Sequence, residues 1–269
     1  MRSAWLVIGA TAVLGMRLSA AEWVESAAAA KAFEREEVSG TFVVLDVGSG
    51  QLSGHDEKRA KTRYVPASTY KIPNTLIGLQ AGSVKSVDEV LPYGGKPQSF
   101  EAWEHDMSLR DAIKISCVPI YQELARRTGL EVMQAGVTKL GYGNGDIGTK
   151  VDRFWLDGPL KISAVEQVRF LARLAAGELP FPPGLQQATR DIVKLESGEG
   201  WALFGKSGWE NAPDPGIGWW VGWVENRGKV HAFALNMDMN GAGDAAKREA
   251  LGREILAAMG LLEASREPS

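Results

Sequence analysis

Only one cysteine, Cys117, occurs in this 269-residue chain, so no intramolecular disulfide can form and a packed core must supply the stability. Histidine is almost as scarce. His55, His105 and His231 are scattered, without His-Glu-x-x-His or Cys-x-x-Cys spacing, and each reads as a surface or strand residue, so no metal site is expected. An excess of positive charge is also missing. The net charge is −3 and the pI near 5.8, with both signs mixed along the chain, which excludes the basic face that a nucleic acid partner requires. Repeats and low-complexity tracts are absent.

Long apolar runs are lacking too. The N-terminal run over residues 4–16 spans 13 residues before Arg17 ends it, too short for a helix that crosses a bilayer. Met1-Arg2 precedes it and Ser19-Ala20-Ala21 follows it, the pattern of a cleavable secretory signal peptide over residues 1–21. No cysteine stands at the cleavage site to take a lipid. The expectation is a secreted, periplasmic protein without a membrane anchor, beginning near Glu22. The sequence is silent on oligomeric state.

What is present is ordinary for a globular protein: 45% hydrophobic and 23% charged residues, enough for a sizeable core. Residues 22–38 read as an Ala-rich charged helix and 40–47 as a buried strand rich in β-branched residues. A short strand follows at 51–53, then a charged loop at 56–59 and a strand approaching Tyr64. From 83 to about 195 the pattern is mostly helical, with segments at 108–127, 131–140, 164–176 and 185–195. Strand signals return at 201–204, 218–224 and 229–237, before a final helix over about 245–262. Strands at both ends and helices between them imply an α/β (α+β) fold. Its mainly antiparallel sheet, with flanking helices, comes from the terminal segments, about 22–82 and 196–269, and a helical lobe comes from about 83–195, all within one catalytic domain over 22–269. A cleft between the lobes is a preferred ligand site.

Chemistry concentrates at Pro66-Ala-Ser-Thr-Tyr-Lys-Ile-Pro-Asn74. Ser68 and Lys71 are three residues apart at a helix start, which places them on one face within contact range. A serine needs a neighbouring base to act as a nucleophile, and a lysine serves only when apolar surroundings or chemical modification suppress its charge. Val65, Ala67, Tyr70, Ile72, Leu76 and Ile77 provide such surroundings, and the free amides of the helix start can stabilise an oxyanion. Taken alone, the pair is also what chance would place in a chain of this length.

The other signals are individually weak. Ser116-Cys117-Val118 offers a second serine able to relay a proton, or merely a helix bend before Pro119. Lys206-Ser207-Gly208, after the 201–204 strand, can bind a substrate carboxylate and let a ligand lie close to the strand edge; alternatively its lysine guards an exposed edge. Gly143 to Gly148 satisfies Gly-x-Gly-x-x-Gly but lacks the preceding strand and the βαβ unit, so dinucleotide binding is rejected in favour of a loop. Trp155 and the group Trp219, Trp220 and Trp223 read as core, with indole N–H groups that need partners where buried.

Ser-x-x-Lys, Ser-x-Val, Tyr142-Gly143-Asn144 and Lys-Ser-Gly, in this order, resemble the motifs of the class D, oxacillinase-type serine β-lactamases, and the resemblance extends over nearly the whole chain beyond residue 21. Segments 66–74 and 154–163 are similar to family segments as well. The resemblance implies the penicillin-recognising serine transpeptidase/β-lactamase-like fold and a β-lactam substrate. It implies Ser68 as nucleophile and Lys71 as base, N-carboxylated by CO2 as N6-carboxylysine, with Val118 keeping the site apolar and Trp155 donating its indole N–H. Ser116 would pass the proton to the lactam nitrogen. The amides of Ser68 and Trp209 would form the oxyanion hole. Lys206, Ser207 and Gly208 would receive the substrate, with Arg248 preferred over Lys247 and Arg253 as the carboxylate-binding arginine. Beyond CO2 or bicarbonate, no cofactor and no metal are implied. Leu156, Trp103 and the 209–218 loop would shape substrate preference. A β-lactam sensor and a D,D-peptidase, both acylated without efficient turnover, are the alternatives.

Overall fold

The computed structural model describes residues 22–262, so the expected signal peptide over 1–21 lies outside the described residues. The chain begins with strand β1 (Trp23–Glu25), helix α1 (Ala27–Arg35), strands β2 (Gly40–Asp46) and β3 (Leu52–His55) and the short helix α2 (Glu57–Lys61). Helix α3 (Lys71–Gln80) then leads to a two-stranded ribbon of β4 (Val90–Leu91) and β5 (Met107–Ser108). Helices α4 (Leu109–Lys114), α5 (Val118–Thr128), α6 (Leu130–Leu140), α7 (Ala164–Ala176) and α8 (Pro183–Ile192) follow. Strands β6 (Lys194–Gly198), β7 (Trp201–Glu210), β8 (Gly216–Asn226) and β9 (Lys229–Met239) and helix α9 (Lys247–Ala258) complete it.

Among the described residues seven strands form one sheet in the order β1-β3-β2-β9-β8-β7-β6, antiparallel except for the β1–β3 pair. The expected mainly antiparallel sheet of terminal segments is therefore present. Both faces are covered, which explains why its central strands read as nearly continuous apolar runs. Alternate residues still separate by size. Phe42, Val44, Trp220, Phe233 and Leu235 face a core closed by α1 and α9, whereas Val43, Val221, Ala232 and Ala234 face the larger core beneath α7.

Those small side chains let α7 lie directly against β2, β8 and β9. This helix falls in the stretch read as helical lobe, yet it is a layer on the sheet. It is buried on nearly every side, with Ala164, Val168, Leu171 and Ala175 in the core. Its start is fixed by a Ser163–Glu166 capping box, and Glu166 also pairs with Arg63.

Several local expectations are corrected. The strand approaching Tyr64 is a single antiparallel bridge to Ile162. The charged loop at 56–59 is largely α2, capped by Asp56, whose carboxylate accepts from the Arg59 amide. The helix expected over 108–127 is broken into α4 and α5, because Ser116 takes φ 59° and Cys117, with ψ 112°, is not helical; α5 restarts at Val118 with Pro119 in its first turn, where the missing amide is tolerated. The end of the 185–195 segment belongs to β6, β1 precedes α1, and β7 runs on to Glu210, so Lys206, Ser207 and Gly208 lie within the strand. Propensity could not signal the strand changes, since each depends on a pairing partner outside the segment itself.

Gly252 seats α9 on the sheet. A Cβ there would overlap Cε3 and Cζ3 of Trp220. Gly252→Ala should therefore cost about 1–3 kcal/mol, read as a lower Tm. It should also displace Arg248, which α9 carries; an unchanged Tm would show that α9 is not seated through this contact.

Candidate active site

The nucleophile candidate stands on a strained turn. Residues Ala67–Tyr70 form one 3-10 turn that runs into α3. Ala67 has φ 48°, a left-handed conformation that a residue with a Cβ holds only where its surroundings enforce it. The sheet enforces it from two adjacent strands. Trp219 Nε1 on β8 donates to the Val65 carbonyl at 2.9 Å, and Gly208 on β7, paired with Trp219, faces the next residues. A Cβ on Gly208 would lie 3.0 Å from Pro66 O and 3.3 Å from Ser68 N, so only glycine lets the strand approach the turn this closely. Thr69 Oγ1 adds a 2.7 Å hydrogen bond to Pro66 O.

Lys71 Nζ is 2.8 Å from Ser68 Oγ. The lysine is wholly buried, and among the described residues no carboxylate balances its charge. Burial, reinforced by the positive charge of Lys206 and opposed by Cys117, holds its pKa well below the ordinary lysine range. A lysine displaced in this direction holds its proton less tightly, and once it has lost that proton it can accept one from a serine in contact. Its ammonium lies 5.4 Å from the centre of the Tyr121 ring.

Tyr121 ties α3, which carries this amine, to α5, the helix that follows the second serine. Tyr121 OH meets Thr75 Oγ1 at 3.0 Å, Thr75 Oγ1 donates to Lys71 O at 2.8 Å, and Asn74 Nδ2 donates to Tyr121 O at 3.2 Å. Ser116 occupies the bend just before α5 with φ 59°, a second strained non-glycine position at the site. Ser116 and Val118 are half-buried around the buried Cys117. Trp103 braces the bend by donating Nε1 to Ile115 O at 3.1 Å. On the other side of the turn Tyr70 stacks on Trp155, with centroids 5.4 Å apart. Trp155 is wholly buried, and its Nε1 has no hydrogen-bond partner among the described residues.

Three cations are candidates on the last helix, and their partners separate them. Lys247 pairs with Asp244 at 3.4 Å, and Arg253 pairs with Glu249 at 2.8 Å and with Glu196. Arg248 is buried and turns inward: Nε donates to Ala245 O at 2.9 Å and Nη1 to the Gly208 carbonyl. It passes over Gly218, where a Cβ would lie 2.6 Å from its Cδ. Lys206 is buried beside it, donates to Ser207 O at 2.9 Å, and has its pKa lowered to about 7 by burial and then by Arg248. Two buried cations without a carboxylate partner among the described residues form a receptor for an anion. Ser207 and Trp209 are half-buried on the same strand.

The Tyr-Gly-Asn loop has structural work of its own. Gly143 has φ 58° and a Cβ there would overlap Lys161 O, so the loop closes directly on that backbone. Asn144 fastens it: its side chain donates to Pro159 O at 3.0 Å and accepts from Lys161 N at 2.9 Å. Sequence reasoning passed over Gln167 and Thr69, which also hold the turn. Gln167 had a readable sign, a lone amide within the apolar stripe Ala164, Val165, Val168.

A buried lysine in contact with a serine on a strained turn, beside an anion receptor on the facing strand, is equipment for acyl transfer to a carboxylate-bearing substrate. The comparisons agree. Residues 40–257 match the penicillin binding protein transpeptidase domain. The chain is 38% identical over 235 residues to β-lactamase OXA-5 of Pseudomonas aeruginosa, covering 86% of this chain and 88% of that protein. It is 37% identical to β-lactamase OXA-48 of Klebsiella pneumoniae, covering 91% and 92%. This chain belongs to the class D β-lactamases. Its fold matches the crystal structure of FUS-1 (OXA-85), a class D β-lactamase from Fusobacterium nucleatum subsp. polymorphum, at TM-score 0.86 and 43% identity, over 89% of this chain and 100% of that one. The class D β-lactamase YbXI from Nostoc matches at TM-score 0.85 and 37% identity, over 87% and 99%.

The buried lysine of this β-lactamase strand carries a stability signature. Lys206 is protonated in the unfolded chain up to about pH 10, but in the fold only up to about 7. Between these values the unfolded state binds more protons, so this group makes stability rise with pH, by at most about 1.4 kcal/mol per unit. Lys206→Met should therefore be more stable than the parent at pH 6, with the gap narrowing as pH approaches 9. A gap that stays constant in urea titrations at both pH values would show that Lys206 is not buried as a costly cation.

Proposed function

We propose that this chain hydrolyses the amide of β-lactam antibiotics through an acyl-serine, and so confers resistance to them. The observation that carries the reading is the 2.8 Å contact of Ser68 Oγ with a buried, charge-suppressed Lys71. Lys71 takes the Ser68 proton as Oγ forms a bond to the lactam carbonyl carbon. The oxyanion is received by the amides of Ser68 and Trp209, on the turn and strand that Gly208 brings together. The carbon–nitrogen bond then breaks as Ser116 gives its proton to the departing nitrogen and takes in turn the one that Lys71 had accepted from Ser68, which restores the serine and frees the base. Water adds to the resulting ester, giving up a proton to the base at Lys71, and collapse returns the Ser68 hydroxyl and releases the ring-opened acid. Lys206, Ser207 and Arg248 hold the substrate carboxylate throughout.

The carbamate on Lys71 implied by the resemblance fits the residues present. Trp155 Nε1 is a buried donor in want of an acceptor, Val118 offers no competing polar atom, and the suppressed charge of Lys71 is the condition for reaction with CO2. Carboxylation, in which the Nζ lone pair adds to CO2 and one proton is released, would supply an anionic oxygen base at Lys71, held by Trp155. No described helix is long and apolar enough to cross a membrane. Export to the periplasm under the signal peptide completes the proposal, supported by the N-terminal pattern alone.

Turnover of a chromogenic cephalosporin, first with CO2 removed and then with bicarbonate restored, tests the whole scheme. Repeated turnovers that rise with bicarbonate are expected. A single stoichiometric burst indifferent to bicarbonate would contradict it and favour a sensor or peptidase. Ser68→Ala should give no drug-derived mass adduct. Trp155→Phe should lose at least about tenfold in activity, as loss of a supporting donor does, and regain part of it with bicarbonate. Because Lys206 is charged only below about pH 7 in the free protein, KM should rise as pH climbs from 6 to 9. The same profile should be flat for Lys206→Met, and a flat profile in the parent would remove Lys206 as the charged contact.

A further inference from the structure

Behind the strained turn lies a chain of buried hydrogen bonds that the reaction scheme does not use. Tyr142 OH donates to Gln167 Oε1 at 3.4 Å, Gln167 Nε2 donates to Thr69 Oγ1 at 2.9 Å, and Thr69 Oγ1 donates to Pro66 O at 2.7 Å. Every donor points the same way, toward the carbonyl two residues before Ser68. All three side chains are about 1% exposed, so water does not compete for these bonds. The phenol of Tyr142 directs the Gln167 amide, since its donation to Oε1 leaves Nε2 facing Thr69. This gives the tyrosine of the Tyr-Gly-Asn loop a role distinct from the one its neighbours Gly143 and Asn144 play in closing the loop.

The end of the chain is the mechanically sensitive point. The Pro66 carbonyl and the Ala67 amide share one planar peptide, so the direction of the carbonyl determines the φ of Ala67. That φ is 48°, where an alanine is strained and will relax if its restraint is released. Rotation of this peptide would carry the Ser68 amide away from Gly208. We propose that Gln167, acting through Thr69, is a positioning residue for acylation, holding the left-handed peptide that sets the Ser68 amide and hydroxyl. The proposal rests on Ser68 being the nucleophile. Gln167 touches no reacting atom.

Glycine offers a test that a merely structural role cannot imitate. Glycine adopts left-handed backbone without strain, so a turn carrying Ala67→Gly needs less external restraint. In single-turnover acylation by a chromogenic cephalosporin, Gln167→Met should lower the rate about tenfold, the scale on which small misplacement of reacting groups acts. Ala67→Gly alone should change it little. The double variant should recover most of the loss, a coupling between sites joined by one network. An acylation rate unchanged in Gln167→Met, or a loss that persists undiminished when Ala67→Gly is added, would overturn the proposal. If Gln167→Met does not fold, Thr69 decides: Thr69→Ser keeps the hydroxyl and should keep the rate, Thr69→Val should lose it, and equal rates would refute the chain of bonds. Failure of the parent protein itself to be acylated at Ser68 would instead remove the functional reading on which the proposal stands.

Discussion

The buried amine of Lys71 is the interaction on which the rest of the structure depends. Placing an ammonium away from water and away from any carboxylate is costly, and the protein responds by lowering its proton affinity. The surrounding architecture sustains that situation. α5 covers the lysine with Tyr121, Trp155 stacks behind Tyr70, and β7 brings a second buried cation, Lys206, rather than an anion that would restore the charge. A well-paired lysine in the same place would be more comfortable and unable to take a proton from Ser68.

The same logic governs the anion receptor. Lys206 and Arg248 are held near one another with hydrogen bonds only to backbone carbonyls, so their charges remain available to a ligand. The arrangement sacrifices stability for recognition, the pattern expected where function opposes the fold. Two strained residues, Ala67 and Ser116, stand immediately before Ser68 and at the second serine. Strain at both is sustained by rigid neighbours: the sheet for Ala67, and the packed start of α5 for Ser116.

Close approach between layers makes this rigidity possible. Gly208 admits the turn to β7, Gly218 admits Arg248 to the strand, Gly252 admits Trp220 to α9, and Ala232 and Ala234 admit α7 to the sheet. Each is a small residue where two elements meet backbone to side chain, and each bears on the position of a site group. The site is thus assembled by close steric contacts together with buried hydrogen bonds to the backbone, around polar groups left partly unsatisfied.

The sequence by itself determined the chemistry and much of the architecture. Ser68 and Lys71 meet because three residues span one helical turn, and the strands of the sheet are visible because alternation and β-branching are local properties. The ordered motifs were legible for the same reason. Tertiary structure alone decided which distant groups meet: the guanidinium of Arg248, the residue the resemblance had preferred, against the Gly208 carbonyl, α7 on the sheet rather than in a separate lobe, and Gln167 behind Thr69 across 98 residues of chain. It also decided the backbone of Ala67, because a left-handed alanine is disfavoured by its own chemistry and exists only where the non-local bond from Trp219 and the close approach of Gly208, added to the local bond from Thr69, enforce it.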